Sequence, residues 1–353
     1  MSTPTHVPPA RGYKRIATEE AFAPGFVIDA WIDMIRNKKV DDPAFESLHG
    51  FYLLSDAPRA VEIRERLKDV GEMRVAHMDA AGIDLQILAI TAPGPQIFDA
   101  ATGPVIARDA NDWLAAAIAK HPTRFVGLTA IAPQAPALAA REIDRGASQL
   151  GLKGVIINSH THDEYLDEAK FWPIFEAAEA LDMPVYLHPT GPSRRMAAPL
   201  IEAGLDGAIY GFGVDTGMHA LRIITSGVFD RFPKLKLVLG HCGEALPFWL
   251  FRLDFMHAAT VRAGRYPRIK PLQRTISEYM RENVYVTTSG MAWEPAIMFC
   301  HKVLGADRVL YAMDYPYQYV LDEVRDSDAL PMSDAERKAF FQGNAERVFG
   351  LTS

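Results

Sequence analysis

The sequence is poor in cysteine, with only Cys242 and Cys300 among 353 residues. That excludes a disulfide framework and a thiolate zinc site, and a reducing, cytoplasmic setting is expected. No hydrophobic run approaches the roughly 20 residues of a membrane span. The opening fifteen residues, MSTPTHVPPARGYKR, have no apolar stretch before a cleavage site, so neither membrane insertion nor export is expected. Dense blocks of Lys and Arg are missing as well, and the formal net charge is −7. Nucleic acid therefore finds no electrostatic footprint. No fixed repeat divides the chain, nor any Gly/Ser-rich or Pro-rich linker, and no Gly-x-Gly-x-x-Gly or Walker-type loop follows an early strand. Chemistry must come from His, Asp, Glu, Arg and Tyr.

What is present is an ordinary globular composition, 49% hydrophobic and 23% charged, ample for one large core or two modest domains. Residues 1–13 read as a flexible leader, and residues 14–353 as one domain. Short β-branched runs alternate with longer amphipathic segments. The runs cover residues 15–22, 85–91, 125–132, 154–159, 184–188, 235–241, 284–289 and 309–314. Several are apolar almost throughout, which suits parallel strands buried on both faces. Amphipathic segments such as 136–150, 171–181, 216–225 and 294–304 lie between them. Eight strands alternating with helices predict an α/β fold, a (β/α)8 TIM barrel, with an open doubly wound sheet as the alternative. Residues 24–81, between the first two strands, are too many for one helix. They read as an insertion at the barrel mouth or at a subunit interface.

In such a barrel the active site forms at the C-terminal ends of the strands. The first run ends in Glu19-Glu20-Ala21-Phe22, the fifth in His188-Pro189, the sixth in Gly240-His241 and the eighth in Asp314-Tyr315-Pro316. Four strand ends out of eight thus carry a potential metal ligand or acid/base group. Strand neighbours point to opposite faces, so only one of Glu19 and Glu20 can face the axis.

This Glu, His, His, Asp pattern resembles the amidohydrolase superfamily. Ala-Thr-Glu-Glu-Ala-Phe, Leu-His-Pro, Leu-Gly-His-x-Gly-Glu and Met-Asp-Tyr-Pro look like its branch of non-oxidative aromatic acid decarboxylases, which includes aminocarboxymuconate semialdehyde decarboxylase. The resemblance runs from Ile16 to about Phe349. Many members begin with His-x-His or Glu-x-His on the first strand, where this chain has Ala21, and the fourth strand offers Asn158 in place of a bridging Lys or Glu. Both departures argue for a single metal ion.

The resemblance implies metal ligation by Glu19, His188 and Asp314, leaving Glu20 as a structural ion-pair partner; otherwise Glu19 is a capping or salt-bridged residue. Two carboxylates and an imidazole suit one divalent ion, Mn²⁺ above Zn²⁺. Catalytic roles fall to Asp314, His241 and Glu244. His241 held by Glu244 forms an oriented imidazole, unless Glu244 is only the early acid of the next helix. Substrate binding falls to Arg252, Tyr317 and Arg59. Against these stand a salt bridge from Arg252 to Asp254 or another carboxylate, a packing tyrosine and an ordinary surface arginine. His160 and His162 follow the fourth strand and read as loop histidines, and Cys242 as packing backwards. Phe212 and Trp293 are weaker candidates for pocket walls.

The implied activity is metal-dependent decarboxylation of a small ortho-hydroxy aromatic acid of the 5-carboxyvanillate kind, in catabolism of lignin-derived aromatics. γ-Resorcylate, 2,3-dihydroxybenzoate and a lactone or amide hydrolysis are the alternatives. A homodimer or homotetramer is expected from the same resemblance.

Overall fold

The β-branched runs form nine short parallel strands in a computed structural model that describes residues 12–351. Residues 1–11 of the expected leader lie outside the described residues. The strands are β1 (Ile16–Phe22), β2 (Leu85–Ile90), β3 (Phe125–Gly127), β4 (Thr129–Ala130), β5 (Val155–Asn158), β6 (Val185–His188), β7 (Leu237–Leu239), β8 (Val284–Thr287) and β9 (Val309–Leu310). The third run supplies both β3 and β4, broken only at Leu128. There the Leu128 N–H donates to Leu88 O at 2.9 Å and the Thr129 N–H to Gly154 O at 2.7 Å. One extended segment thus passes from β1-β2-β3 to β4-β5-β6-β7-β8-β9.

The ring closes between β1 and the chain after β9. The Thr18 N–H donates to Tyr311 O and the Ala21 N–H to Tyr315 O. Glu20 fastens the same seam, its carboxylate accepting the N–H groups of Met313 (2.9 Å) and Tyr315 (3.1 Å). Burial is the main reason its pKa is pushed up to about 8, while the neighbouring Arg74 guanidinium opposes the rise. Among the described residues no cation lies within 4 Å of Glu20, so the expected ion-pair partner is instead a clamp on two backbone N–H groups. The closed parallel ring is a (β/α)8 barrel of the TIM type, as the alternation predicts.

Between β1 and β2 the chain forms four helices: α1 (Gly25–Arg36), α2 (Pro43–Leu54), α3 (Pro58–Lys68) and α4 (Glu72–Ala81). They are tied to the barrel's upper rim. Trp31 of α1 is buried and donates its indole N–H to Gly94 O at 3.3 Å. Arg74 of α4 is fully buried, donating to Ala21 O at 2.6 Å while lying over the Tyr315 ring. Among the described residues, no helix is long and apolar enough to cross a membrane.

Candidate active site

A register shift between Ala17 and Glu20 in the pairing of β1 with β2 sits where the two glutamates diverge. Glu20 turns to the seam and Glu19 into the mouth. Oε2 of Glu19 accepts from the hydroxyls of Tyr186 and Thr287, the latter at 2.9 Å. Its other oxygen, Oε1, is buried without a hydrogen-bond partner, 3.4 Å from His188 Nε2 and 3.6 Å from His241 Nε2.

His188 shows why that arrangement needs a cation. Its Nδ1 lies 2.7 Å from Pro189 O, an acceptor, so Nδ1 carries the proton. Burial, ahead of the opposing pull of Glu19, holds its pKa below the ordinary range and keeps the ring neutral. The lone pair on Nε2 then faces the lone pairs of Glu19 Oε1 with no hydrogen between them. A divalent ion turns that repulsion into shared coordination, and the oxygen-rich donor set fits a small hard ion. Among the described residues no three His, Cys, Asp or Glu side chains are already closed into a metal cage.

Asp314 and His241 flank Gly290, whose missing side chain leaves them room. A Cβ there would lie 3.5 Å from Asp314 Oδ2 and 3.4 Å from His241 Cδ2. Burial, then the charge of Glu19, pushes the Asp314 carboxyl up to about 8. Asp314 is itself in left-handed backbone, φ 69°, which costs a non-glycine residue about 1–2 kcal/mol.

The same strain is repeated after β7, where His241, Cys242, Glu244 and Ala245 all have positive φ. Such strain persists where the surroundings hold it, and it clusters at functional sites. This turn aims His241 and Glu244 at each other, Nδ1 to Oε1 at 2.8 Å. The following helix begins only at Leu246, so Glu244 precedes it and is not an acid within its first turn. Burial works to lower the His241 pKa, but Glu244, Glu19 and Asp314 outweigh it and raise the imidazole to about 10.

A cavity of about 180 Å³ opens onto His188, His241 and Asp314. Leu48, His49 and Tyr52 of α2 form part of its wall, and Phe212 another part, so the insertion covers the mouth. Tyr317 also lines it; its hydroxyl lies 2.8 Å from Thr91 Oγ1 and its ring meets Tyr52 edge-on. Gln318, Thr91 and His49 escaped the sequence reading. Of these only His49 belongs to the residue types that attract notice, and it lies within an insertion that has no strand end to mark it. Burial drives its pKa down to about 4, so it is neutral.

Other expected residues lie elsewhere. Arg59, at the start of α3, is half exposed and donates to the backbone carbonyl of Tyr317, at the rim and outside the cavity lining. Arg252 is exposed on the helix Leu246–Ala263 and does not line the cavity of its own chain. The alternative salt bridge fails too: among the described residues Arg252 has no carboxylate within 4 Å, and Asp254 accepts from the N–H and hydroxyl of Ser277. His160 is buried against Gly191 O, a structural loop histidine. Cys242 is buried, its carbonyl oxygen approached by the Cys300 thiol. Trp293 is exposed and away from the pocket.

A larger cleft of about 560 Å³ beside α1 is lined by charges such as Asp33, Lys39, Asp41 and Arg194. Its cations are engaged in ion pairs, Lys39 with Asp33 and Arg194 with Asp41. The smaller cavity is lined by His188, His241 and Asp314, and both histidines lie within 3.6 Å of the orphaned Glu19 oxygen.

The family model described as "Amidohydrolase" matches residues 28–351. The chain belongs to the amidohydrolase family. Within this family it is similar to 5-carboxyvanillate decarboxylase of Novosphingobium aromaticivorans, solved with manganese and 4-hydroxy-3-methoxy-5-nitrobenzoic acid. That similarity is 55% identity over 99% of this chain and 100% of the other, with a TM-score of 0.96. A second amidohydrolase-family neighbour is 5-carboxyvanillate decarboxylase of Sphingomonas paucimobilis, at 43% identity over 97% and 100% of the two chains and a TM-score of 0.91. The γ-resorcylate decarboxylase of Polaromonas sp. strain JS666 is 39% identical over 86% of this chain and 93% of its own. These amidohydrolase relatives are all carboxy-lyases acting on aromatic acids.

Proposed function

We propose that the protein is a metal-dependent, non-oxidative decarboxylase converting 5-carboxyvanillate to vanillate and carbon dioxide. The observation that carries this reading is the meeting of a half-buried proton carrier, Asp314, with the neutral His188 at one end of a partly apolar cavity, the unpartnered Glu19 oxygen 3.4 Å behind His188. It is supported by full-length similarity to decarboxylases of that substrate.

Glu19, His188 and Asp314 would hold one divalent ion, Mn²⁺ before Zn²⁺; the Novosphingobium enzyme was solved with manganese. When bound, the ion supplies Lewis-acid polarisation of the substrate's phenolic and carboxylate oxygens. The remaining work belongs to the chain's own side chains. Direct loss of carbon dioxide from an arene would leave an aryl anion, which protonation of the ring carbon avoids. Asp314 receives the phenol's proton and delivers it to the carbon bearing the carboxylate. The dearomatised ring then breaks its bond to the carboxylate carbon, expelling carbon dioxide and regaining aromaticity. Asp314 lines the cavity beside His241, so it takes the proton as a carboxylate and gives it up as the acid within one site.

His241, kept cationic and oriented by Glu244, donates to an anionic oxygen of the substrate. It also gives an anionic substrate local positive charge on a protein of net charge −7. Tyr317 offers its hydroxyl to a ring substituent, and Leu48, Tyr52 and Phe212 keep water from the ring.

Assembly as a homodimer or homotetramer is supported by the helix Leu246–Ala263. It exposes Phe248 (73%), Phe251 (87%) and Phe255 (62%) together, an apolar face of the kind that marks an interface. Arg252 stands on this helix, so its expected part in substrate binding depends on the assembly. The direct test is a panel of 5-carboxyvanillate, γ-resorcylate and 2,3-dihydroxybenzoate with Mn²⁺. Fastest carbon dioxide release from 5-carboxyvanillate is expected; preference for a resorcylate would move the substrate, and hydrolysis without carbon dioxide would overturn the chemistry.

A further inference from the structure

Two buried hydroxyls hold Glu19, among the described residues the one carboxylate with a buried, unpartnered oxygen. Tyr186 is on β6, two residues before His188, and strand alternation brings both onto the face toward Glu19. Thr287 ends β8. Tyr186 is 1% exposed and Thr287 0%. The Tyr186 hydroxyl reaches Glu19 Oε2, Thr287 Oγ1 reaches the same oxygen at 2.9 Å, and the two hydroxyl oxygens are 3.0 Å apart.

Proton counting fixes the directions. Each hydroxyl has one hydrogen, and a carboxylate oxygen can only accept. Thr287 Oγ1 faces the Ser289 N–H at 3.4 Å on its other side. Both hydroxyl hydrogens therefore point at Glu19 Oε2, and the contact between the hydroxyls is a consequence of that shared target. The floor beneath Oε2 is equally specific. A Cβ on Gly240 would lie 2.7 Å from Oε2 and 3.0 Å from Oε1, so only glycine leaves the carboxylate where the hydroxyls hold it.

We propose that Tyr186 and Thr287 are positioning residues that lock Glu19 Oε2 and so present Oε1 alone to the metal. This inference rests on Glu19 being a metal ligand, as in the proposed function. A carboxylate clamped on one oxygen would offer an ion a single donor atom, which would leave room for the substrate's phenolic and carboxylate oxygens. Partners of this kind orient ligands, and their loss typically lowers metal affinity by about 10- to 100-fold.

The test is Mn²⁺ binding to the full-length, metal-stripped protein, by calorimetry and by the electron paramagnetic resonance of the ion, for Tyr186→Phe, Thr287→Val, Thr287→Ser and Glu19→Gln. Circular dichroism and thermal melting certify that each variant is folded. Tyr186→Phe and Thr287→Val are expected to bind Mn²⁺ at least about tenfold more weakly, with a changed resonance line shape. Thr287→Ser, which keeps the hydroxyl, should restore parental affinity. Saturating Mn²⁺ should recover most of the kcat of Tyr186→Phe, splitting metal affinity from turnover. If folded Tyr186→Phe and Thr287→Val bind within twofold of the parent while Glu19→Gln loses the ion, the positioning role is wrong and the metal site stands. If Glu19→Gln also binds as the parent does, the ligand assignment itself fails.

Discussion

His241 Nδ1 lies 2.8 Å from Glu244 Oε1 across a turn of consecutive left-handed residues. The pair keeps the imidazole cationic, with a pKa raised to about 10 although burial pulls the other way. In the unfolded chain the group titrates at its ordinary value near 6.5. Its contribution to stability is therefore complete below that pH and is lost as pH rises through about 10. For Glu244→Gln, NMR titration of metal-free protein should show the His241 pKa falling by about 1 to 3 pH units. Denaturant melts should show the alkaline loss of stability starting at lower pH. An unmoved His241 would show that Glu244 does not hold the charge.

Replacing Asp314 with Asn removes the proton carrier and keeps the shape. Turnover should fall by at least about a hundredfold, while a nitro-aromatic analogue of the substrate binds within a few-fold of the parent. Steady-state kinetics paired with calorimetry separates the two. Near-normal decarboxylation would remove Asp314 from the proton path.

Much of this site was legible before any coordinates, because metal ligands and acid/base groups sit at strand ends and strand ends are marked by apolar runs. The eight runs mark the barrel strands, while the break at Leu128, which divides one run between two sheets, leaves no trace in the apolar pattern. Alternation says that only one of Glu19 and Glu20 faces the axis, and the family resemblance points to Glu19. What the sequence could not give was the wall built by α2, since Leu48, His49 and Tyr52 come from a segment about thirty residues from the nearest catalytic motif, with no periodic signal pointing inward. Arg252 was chosen by motif, and a motif does not say which face of a helix looks outward. The roles of Tyr186 and Thr287 were hidden for the opposite reason: both lie inside apolar strands, where a tyrosine or threonine reads as core.

Gly240→Ala tests the floor under Glu19. The added methyl group would meet the carboxylate at 2.7 Å, and the side chain must move to relieve it. Metal affinity should drop about tenfold or more with the secondary structure unchanged. Equal Mn²⁺ binding by calorimetry would show that the carboxylate position is not critical.

Tyr317→Phe removes the hydroxyl that faces Thr91 Oγ1 at 2.8 Å. One hydrogen bond is worth about 0.5–1.5 kcal/mol, so KM should rise about two- to tenfold with a smaller change in kcat. A fall in kcat at constant KM would instead place the hydroxyl in the proton transfer.

Phe251→Asp puts a charge at the most exposed ring of the helix Leu246–Ala263. Sedimentation velocity should show the parent as a dimer or tetramer and the variant shifted towards monomer. A parent that sediments as a monomer at micromolar concentration would leave this face without the partner assigned to it.

The central claim is that the barrel mouth decarboxylates a hydroxyaromatic acid with the aid of one bound ion. The most direct measurement follows 5-carboxyvanillate, isotopically labelled in the carboxylate ortho to the hydroxyl, by NMR with metal-stripped and Mn²⁺-reconstituted protein. The account predicts that reconstituted protein moves the label into carbon dioxide and bicarbonate in step with vanillate formation, and that stripped protein is nearly inactive. Label retained in a hydrolysed product, or equal rates with and without the metal, would contradict it.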